Sequence, residues 1–231
     1  MSTLIVIAKT PVPGRVKTRL TPPFSPEEAA LLAEAALADT LQAVLETAAG
    51  RRLLALDGEP RPSWVRDFTV VPQVTGTLDR RLAAAFEAAA MRDPGPVLLV
   101  GMDTPQITPE LLRACLPAAG DDATLGMAED GGFWCLGFRR SGRLDFRELL
   151  YGVPMSTDHT GADQLRRLRA SGLRVRLVPT LRDVDAARDA EHVAGLAPRS
   201  RFGTRFQVLR RRLDAAQQPK AVQQLDAPVG S

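Results

Sequence analysis

The apolar run Leu4-Ile-Val-Ile-Ala8, followed at once by Lys9-Thr-Pro-Val-Pro-Gly-Arg-Val-Lys-Thr-Arg-Leu20, constrains this chain more than any other stretch. Five apolar residues without alternation read as a strand covered on both faces, the pattern of a parallel sheet between layers of helix. Lys9, Arg15, Lys17 and Arg19 then arrive within eleven residues, interleaved with Pro11, Pro13 and Gly14, which turn the backbone and exclude helix. Cations this close repel one another unless an anion lies among them, and a polyphosphate fits. A solvated basic loop is the plain alternative. The position argues for binding, because open α/β sheets bind ligands at the carboxyl ends of their strands.

Further strand ends carry polar groups in the same way. Ser25-Pro26-Glu27-Glu28 opens a helix through a capping box, and its Ala/Leu pattern runs to about Ala49. Arg52 to Asp57 and Phe68 to Val71 read as strands, joined by a Pro-rich connection in which Trp64 is a packing anchor. Gly76 lies where the chain passes from the second of these into a helix ending near Met91, so its backbone amides could face a ligand. Pro96 to Val100 is a central strand ending in Gly101-Met102-Asp103-Thr104-Pro105. Asp103 there could hold a divalent cation or a ribose hydroxyl; it could also cap the next helix, although Thr108 already serves.

Ala123 to Ala128 and Phe133 to Phe138 are separated by four residues, too few for a helical crossover, so the sheet is expected to be mixed. In that gap Asp130 can shape a turn, and Gly131 and Gly132 can let backbone approach a substrate. Leu144 to Leu150 reads as a short helix. Ser156 and Thr157 precede a helix over 162–170 and offer caps or free amides; His159 beside them reads as a loop group or a catalyst. Leu173 to Val178 is the last strand. After it Asp183 and Asp185, spaced i and i+2 in an extended segment, point the same way. Asp185 is either a helix cap or a metal ligand opposite Asp103.

The 231 residues, 45% of them hydrophobic, can bury a substantial core. A formal charge of +3 and only 5% aromatics give no footprint for nucleic acid. Cys115 and Cys135 fall inside apolar patterns and read as core. No apolar run approaches the ~18 residues of a membrane span, and the chain enters a strand without a cleavable leader, so a cytoplasmic protein without membrane contact is expected. One domain is expected over residues 1–196. Residues 197–231 form a basic extension with a frayed, disordered end; its basic part suits a helix packed on the domain or on a partner subunit, which leaves a homodimer open.

Lys9 to Leu20, Gly101 to Pro105, Glu129-Asp-Gly-Gly-Phe133 and Asp183-Val-Asp185 together resemble a family of small bacterial GT-A-fold transferases. These are labelled glycosyltransferases and are similar to the 2-phospholactate and molybdenum-cofactor guanylyltransferases. The resemblance implies a nucleotide-binding three-layer αβα sandwich with a mixed, mainly parallel sheet, in which Lys9, Pro13, Gly14, Arg15, Arg19 and Gly76 surround the nucleotide. Asp103 and Asp185 would hold Mg²⁺ or Mn²⁺, and Lys17 and Asp103 would be catalytic. Asp130, Gly131, Gly132, Ser156, Thr157 and His159 would meet a small-molecule acceptor. Two departures stand out: Leu78-Asp-Arg-Arg81 replaces the relatives' Leu-Gly-Glu-Arg, and Gly-Met-Asp-Thr-Pro carries one carboxylate where many sugar transferases carry an Asp-x-Asp pair. On the number of cations, transfer of a nucleotidyl group from a nucleoside triphosphate to a phosphorylated acceptor is expected first. Sugar transfer from a nucleotide-diphosphate sugar and a catalytically inactive nucleotide-binding protein are the alternatives.

Overall fold

The computed structural model describes residues 1–217; the frayed end expected beyond lies outside the described residues. Strand β1 (Thr3–Lys9) lies at the centre of a parallel block with β2 (Arg51–Asp57) on one side and β4 (Val97–Gly101) on the other. The short β3 (Thr69–Pro72) extends the block beyond β2. β6 (Phe133–Phe138) is antiparallel to both β4 and β5 (Ala123–Ala128), and β5 pairs in parallel with the edge strand β7 (Val175–Leu181). The sheet order is β3-β2-β1-β4-β6-β5-β7, so the sheet is mixed and mainly parallel, as the four-residue gap between β5 and β6 requires.

Helices cover both faces. Alternate residues of β1 divide between them: Leu4 and Val6 pack with Leu37 and Leu41 of α1 (Pro26–Glu46) and Leu112 of α4 (Pro109–Cys115). Ile5 faces Ala83 and Phe86 of α3 (Leu78–Ala90), Phe146 and Leu149 of α5 (Phe146–Leu150), and Leu168 of α6 (Thr160–Ala170). Both faces are therefore apolar, which is why the strand shows no alternation. Phe86, Phe138 and Phe146 form an aromatic cluster with centroids 5.0 to 5.4 Å apart. Each such side chain contributes about 1.5–3 kcal/mol by leaving water.

Local chemistry sets the boundaries. The Ser25–Glu28 capping box starts α1 as expected, but the helix ends at Glu46, three residues short of Ala49, because Thr47 turns its hydroxyl and amide back onto the Ala43 carbonyl. The Pro-rich connection holds a short helix, α2 (Pro62–Asp67), and its Trp64 joins the main core with the Arg61 guanidinium 5.6 Å from the ring centroid. β7 runs past Val178 through Pro179, which an edge strand tolerates. Its Pro179 carbonyl accepts a hydrogen bond from the Trp134 indole at 2.9 Å.

The basic segment after α7 (Ala187–Leu196) is helix α8 (Arg201–Gln217), laid across α1 and α7. Phe202, Phe206 and Leu209 bury against Leu32 and Ala36 of α1, and the Asp39 carboxylate accepts from the Arg201 and Phe202 amides at 3.0 and 2.8 Å. No helix among the described residues is long and apolar enough to cross a membrane.

Candidate active site

A cavity of about 740 Å³ opens where the carboxyl ends of β1, β4 and β7 meet the β5–β6 turn and the loop before α6. Its floor is organised by Lys17. The basic loop is pinned where buried Leu20 closes a short 3₁₀ turn, and Lys17 precedes that turn in a left-handed conformation, φ 48° and ψ 40°. Its ammonium lies 2.8 Å from Asp103 Oδ1 and also donates to the Val184 carbonyl. The Val184 amide donates to the Asp103 carbonyl at 2.9 Å, which joins the segment after β7 to the end of β4. One side chain, only 11% exposed, thus ties three separate segments together.

The other loop cations divide. Arg19 pairs with Asp185 at 2.5 Å. Lys9 and Arg15 line the cavity and form no ion pair among the described residues. Pro13 and Gly14 do not reach the cavity; they shape the turn, with Gly14 at φ 74° and the Arg15 amide donating to the Val12 carbonyl at 3.0 Å. Gly76 is also outside the lining. Its carbonyl accepts from Arg81 Nε at 3.0 Å, so it helps to orient a residue that does line the cavity.

Gln73 and Arg81 line the cavity here, and sequence reasoning assigned neither a role. The Gln73 amide nitrogen donates to the Ala8 and Ala55 carbonyls at 2.8 and 2.9 Å, which leaves its oxygen as an acceptor beside Arg81. Arg81 pairs with Asp57 at 2.8 Å. The departing motif Leu78-Asp-Arg-Arg81 has a structural explanation at its second position: Asp79 is buried and accepts from the Gly152 amide at 2.9 Å.

Asp130, Gly132, Ser156 and Thr157 also line the cavity, whereas Gly131 and His159 do not. Gly131 serves packing between segments. It sits at φ 90°, a Cβ there would lie 1.8 Å from the Asp158 carbonyl oxygen, and its own carbonyl accepts from the Gly161 amide at 2.8 Å. His159 is exposed and pairs at 2.8 Å with Asp158, which lines the cavity although His159 does not. Asp130 both shapes the turn, accepting from the Gly132 amide at 2.8 Å, and faces the cavity. Lys17 and Ser156, the non-glycine residues with positive φ among those described, both line this cavity. Such strain costs of order 1–3 kcal/mol per residue and collects at functional sites.

Asp183 completes the wall. Burial, together with the neighbouring Asp130 and Asp103 carboxylates, pushes its pKa up to about 6. The i, i+2 spacing with Asp185 was the signal in the sequence, and both residues do face the cavity. Thr104, 1% exposed, also lines it, and its hydroxyl has no hydrogen-bond partner among the described residues.

A divalent cation bound here would draw its protein oxygens from the cavity's carboxylates. Asp103 and Asp185 belong to one cavity, and the like-charge crowding felt by Asp183 is what such an ion would relieve. Among the described residues no three carboxylate, histidine or cysteine side chains converge on a metal position, so ligand oxygens would have to complete the shell.

Residues 31–157 match the model of a bacterial family described as "Uncharacterized protein conserved in bacteria (DUF2064)", and the chain belongs to that family. Comparison with curated proteins finds no match. Among solved structures, a "putative nucleotide-diphospho-sugar transferase" from Desulfovibrio desulfuricans G20 is similar at 25% identity over 93% of this chain and 95% of that one, with a TM-score of 0.80. A cytidylyltransferase from Leptospira borgpetersenii shares the fold at 10% identity, 96% and 98% coverage and a TM-score of 0.53. The architecture is the GT-A-like αβα sandwich that the motifs led one to expect.

Proposed function

We propose that this DUF2064 protein is a transferase that takes its donor as a nucleotide-diphosphate sugar, holds the diphosphate beneath the Lys9–Arg19 loop and delivers the sugar to a hydroxyl group. The division of the loop's cations carries this reading. Lys17 and Arg19 are engaged by Asp103 and Asp185, which leaves Lys9 and Arg15 for the donor. Two free cations match a diphosphate better than the more highly charged triphosphate of a nucleotidyl donor. The printed name of the Desulfovibrio relative agrees with it.

In this reaction the acceptor oxygen attacks the anomeric carbon, and the bond from that carbon to the β-phosphate oxygen breaks. The nucleoside diphosphate leaves with the electron pair, and its new charge lies beside Lys9 and Arg15. The acceptor's proton passes to a cavity carboxylate, Asp130 or Asp183. Lys17 keeps Asp103 and the segment around Val184 in register throughout. Mg²⁺ or Mn²⁺ on the carboxylate oxygens of Asp103 and Asp185 that Lys17 and Arg19 leave open would supply further neutralisation of the departing diphosphate.

Nucleotidyl transfer is the second reading, favoured by one feature. If a divalent cation displaced Lys17 and Arg19 from Asp103 and Asp185, both would be free to turn to the phosphates, and four cations suffice for a triphosphate. A phosphorylated acceptor would then attack the α-phosphorus and pyrophosphate would leave. The test is incubation with Mg²⁺ or Mn²⁺ and separate panels of nucleotide-diphosphate sugars and nucleoside triphosphates. Release of nucleoside diphosphate from a sugar donor is expected. Pyrophosphate from a triphosphate, with no turnover of any sugar donor, overturns the first reading for the second.

A further inference from the structure

Helix α8 turns Phe202, Phe206 and Leu209 into the core it shares with α1 and α7, and its opposite face is basic. Arg201, Arg205 and Arg212, at i, i+4 and i+11, fall on one stripe, with Val208 between them and Arg211 beside them. All five are exposed, Val208 to 41%. Arg199, Ser200 and Thr204 join the first part of the stripe around a shallow groove of about 330 Å³. Arg199, Arg205, Arg211 and Arg212 have no carboxylate within ion-pair distance among the described residues, and Arg201 reaches Asp39 at 3.6 Å. Carboxylates of the helices beneath are engaged elsewhere: Glu28 on the Ser25 amide at 3.0 Å, Glu34 on Arg61, and Asp189 on the Ala186 amide at 2.9 Å. The helix itself gains nothing from the pattern. Like charges at i, i+4 repel, and cations in a first turn oppose the helix dipole.

We infer that this face of α8 docks the protein on an anionic lipid surface, with its guanidinium groups on the headgroup phosphates and Val208 against the boundary beneath them. Three features favour a lipid plane over other polyanions. The helix is packed along α1 and α7 and presents one face, so it cannot enter a DNA major groove as a recognition helix does. From Arg201 to Arg212 the stripe runs about 17 Å at 1.5 Å per residue, longer than one phosphate group needs. An exposed valine in its middle is at home at a headgroup boundary and has no apolar partner on a sugar-phosphate backbone. Each arginine near an anionic surface adds to the attraction, so such a stripe gives reversible binding without a spanning segment. The expectation of no membrane contact rested on the lack of such a segment, which a peripheral contact does not need. Phe206 meets Phe24 at 5.8 Å in the cluster that also holds Leu20, the anchor of the basic loop. Docking through α8 therefore brings headgroups within about one helix diameter, ~10–12 Å, of that anchor. The inference does not depend on which transfer reaction the cavity performs.

The test is co-sedimentation of the full chain with vesicles of phosphatidylcholine alone or with about one third phosphatidylglycerol. The anionic vesicles should bind roughly tenfold more tightly or better, and ~0.5 M NaCl should release the protein. The triple variant Arg205→Glu, Arg211→Glu and Arg212→Glu should weaken this binding by roughly a hundredfold. A control triple, Arg140→Glu, Arg143→Glu and Arg169→Glu, lowers the formal charge equally but on the α3 and α6 side of the sheet, and should weaken it by less than about tenfold. All six substituted arginines are exposed, and circular dichroism of both triples reports whether the fold is kept. Equal binding to neutral and anionic vesicles, binding to neither, or an equal loss in the two triples overturns the inference. So does a duplex DNA oligonucleotide that binds more tightly than the vesicles and is lost in the α8 triple, which would assign the face to nucleic acid.

Discussion

Replacing Gly131 by alanine tests the join between the β5–β6 turn and the loop before α6, both of which contribute residues to the cavity wall. The added Cβ would lie 1.8, 2.3 and 2.7 Å from the oxygen, carbon and Cα of the Asp158 backbone, none of which can swing aside as a side chain would. Gly131 also sits at φ 90°, where an L side chain costs ~1–2 kcal/mol. Overpacking against backbone adds ~1–3 kcal/mol. Losing the bond from the Gly161 amide to the Gly131 carbonyl adds ~1 kcal/mol more. The total is about 3–6 kcal/mol. Gly172→Ala is the control, since Gly172 has φ 78° but nothing within 4 Å of its would-be Cβ, so only the strain of ~1–2 kcal/mol remains. Urea denaturation should separate the two by roughly 2–4 kcal/mol, and Gly131→Ala should lower Tm by roughly 6–24 °C. Equal losses for the two variants would refute the close backbone contact and, with it, the structural explanation for this glycine.

Lys17→Met should reduce turnover by at least a hundredfold, since it removes the ammonium that joins Asp103 to the segment around Val184; steady-state kinetics at saturating donor check this. Asp103→Asn should weaken the apparent affinity for added Mg²⁺ or Mn²⁺, seen as a rise of at least tenfold in the metal concentration for half-maximal rate. Phe202→Ala should destabilise the fold by about 3–5 kcal/mol, because the ring is fully buried between α1 and α8; denaturation with wild type as reference gives the value. The hydrogen bond from Arg176 holds the Asp121 carboxyl below its usual pKa. Its contribution to stability is therefore present above the ordinary carboxylate value near ~4 and is lost as pH falls through the lower folded value, so Asp121→Asn should flatten that part of the acid denaturation curve.

Much of the fold was legible because its signals are local. Unalternated apolar runs marked strands covered on both faces, Ser25 and Glu28 marked the start of α1, and the four residues between β5 and β6 forced antiparallel pairing. The site was legible as a set of strand ends, and Lys9, Lys17, Asp103, Asp130 and Asp185 do face one cavity. What sequence could not supply was partnership at a distance. A count of loop cations gave four, whereas the number free to meet a donor depends on carboxylates 86 and 166 residues away along the chain, Asp103 for Lys17 and Asp185 for Arg19. Gly131 was misread for a related reason: a positive φ and a neighbouring backbone are both satisfied only by glycine, and the sequence cannot say whether that backbone is approached by substrate or by Asp158.

The same pairing changes what the basic loop is for. If all four cations were free, mutual repulsion would hold the loop open until a polyphosphate arrived. With Lys17 on Asp103 and Arg19 on Asp185, the loop is instead closed onto the ends of β4 and β7 before any ligand binds. The strained backbone of Lys17 is sustained by these contacts and by buried Leu20. A divalent cation arriving with the donor would share these carboxylates with Lys17 and Arg19, so donor affinity is a difference between two well-paired states. Lys17→Met should therefore change metal affinity as well as turnover: Asp103, released from its ammonium, should bind Mg²⁺ more tightly in the absence of nucleotide. Isothermal titration of metal into both proteins measures this, and equal or weaker affinity in the variant would show that Lys17 and the metal do not compete for Asp103.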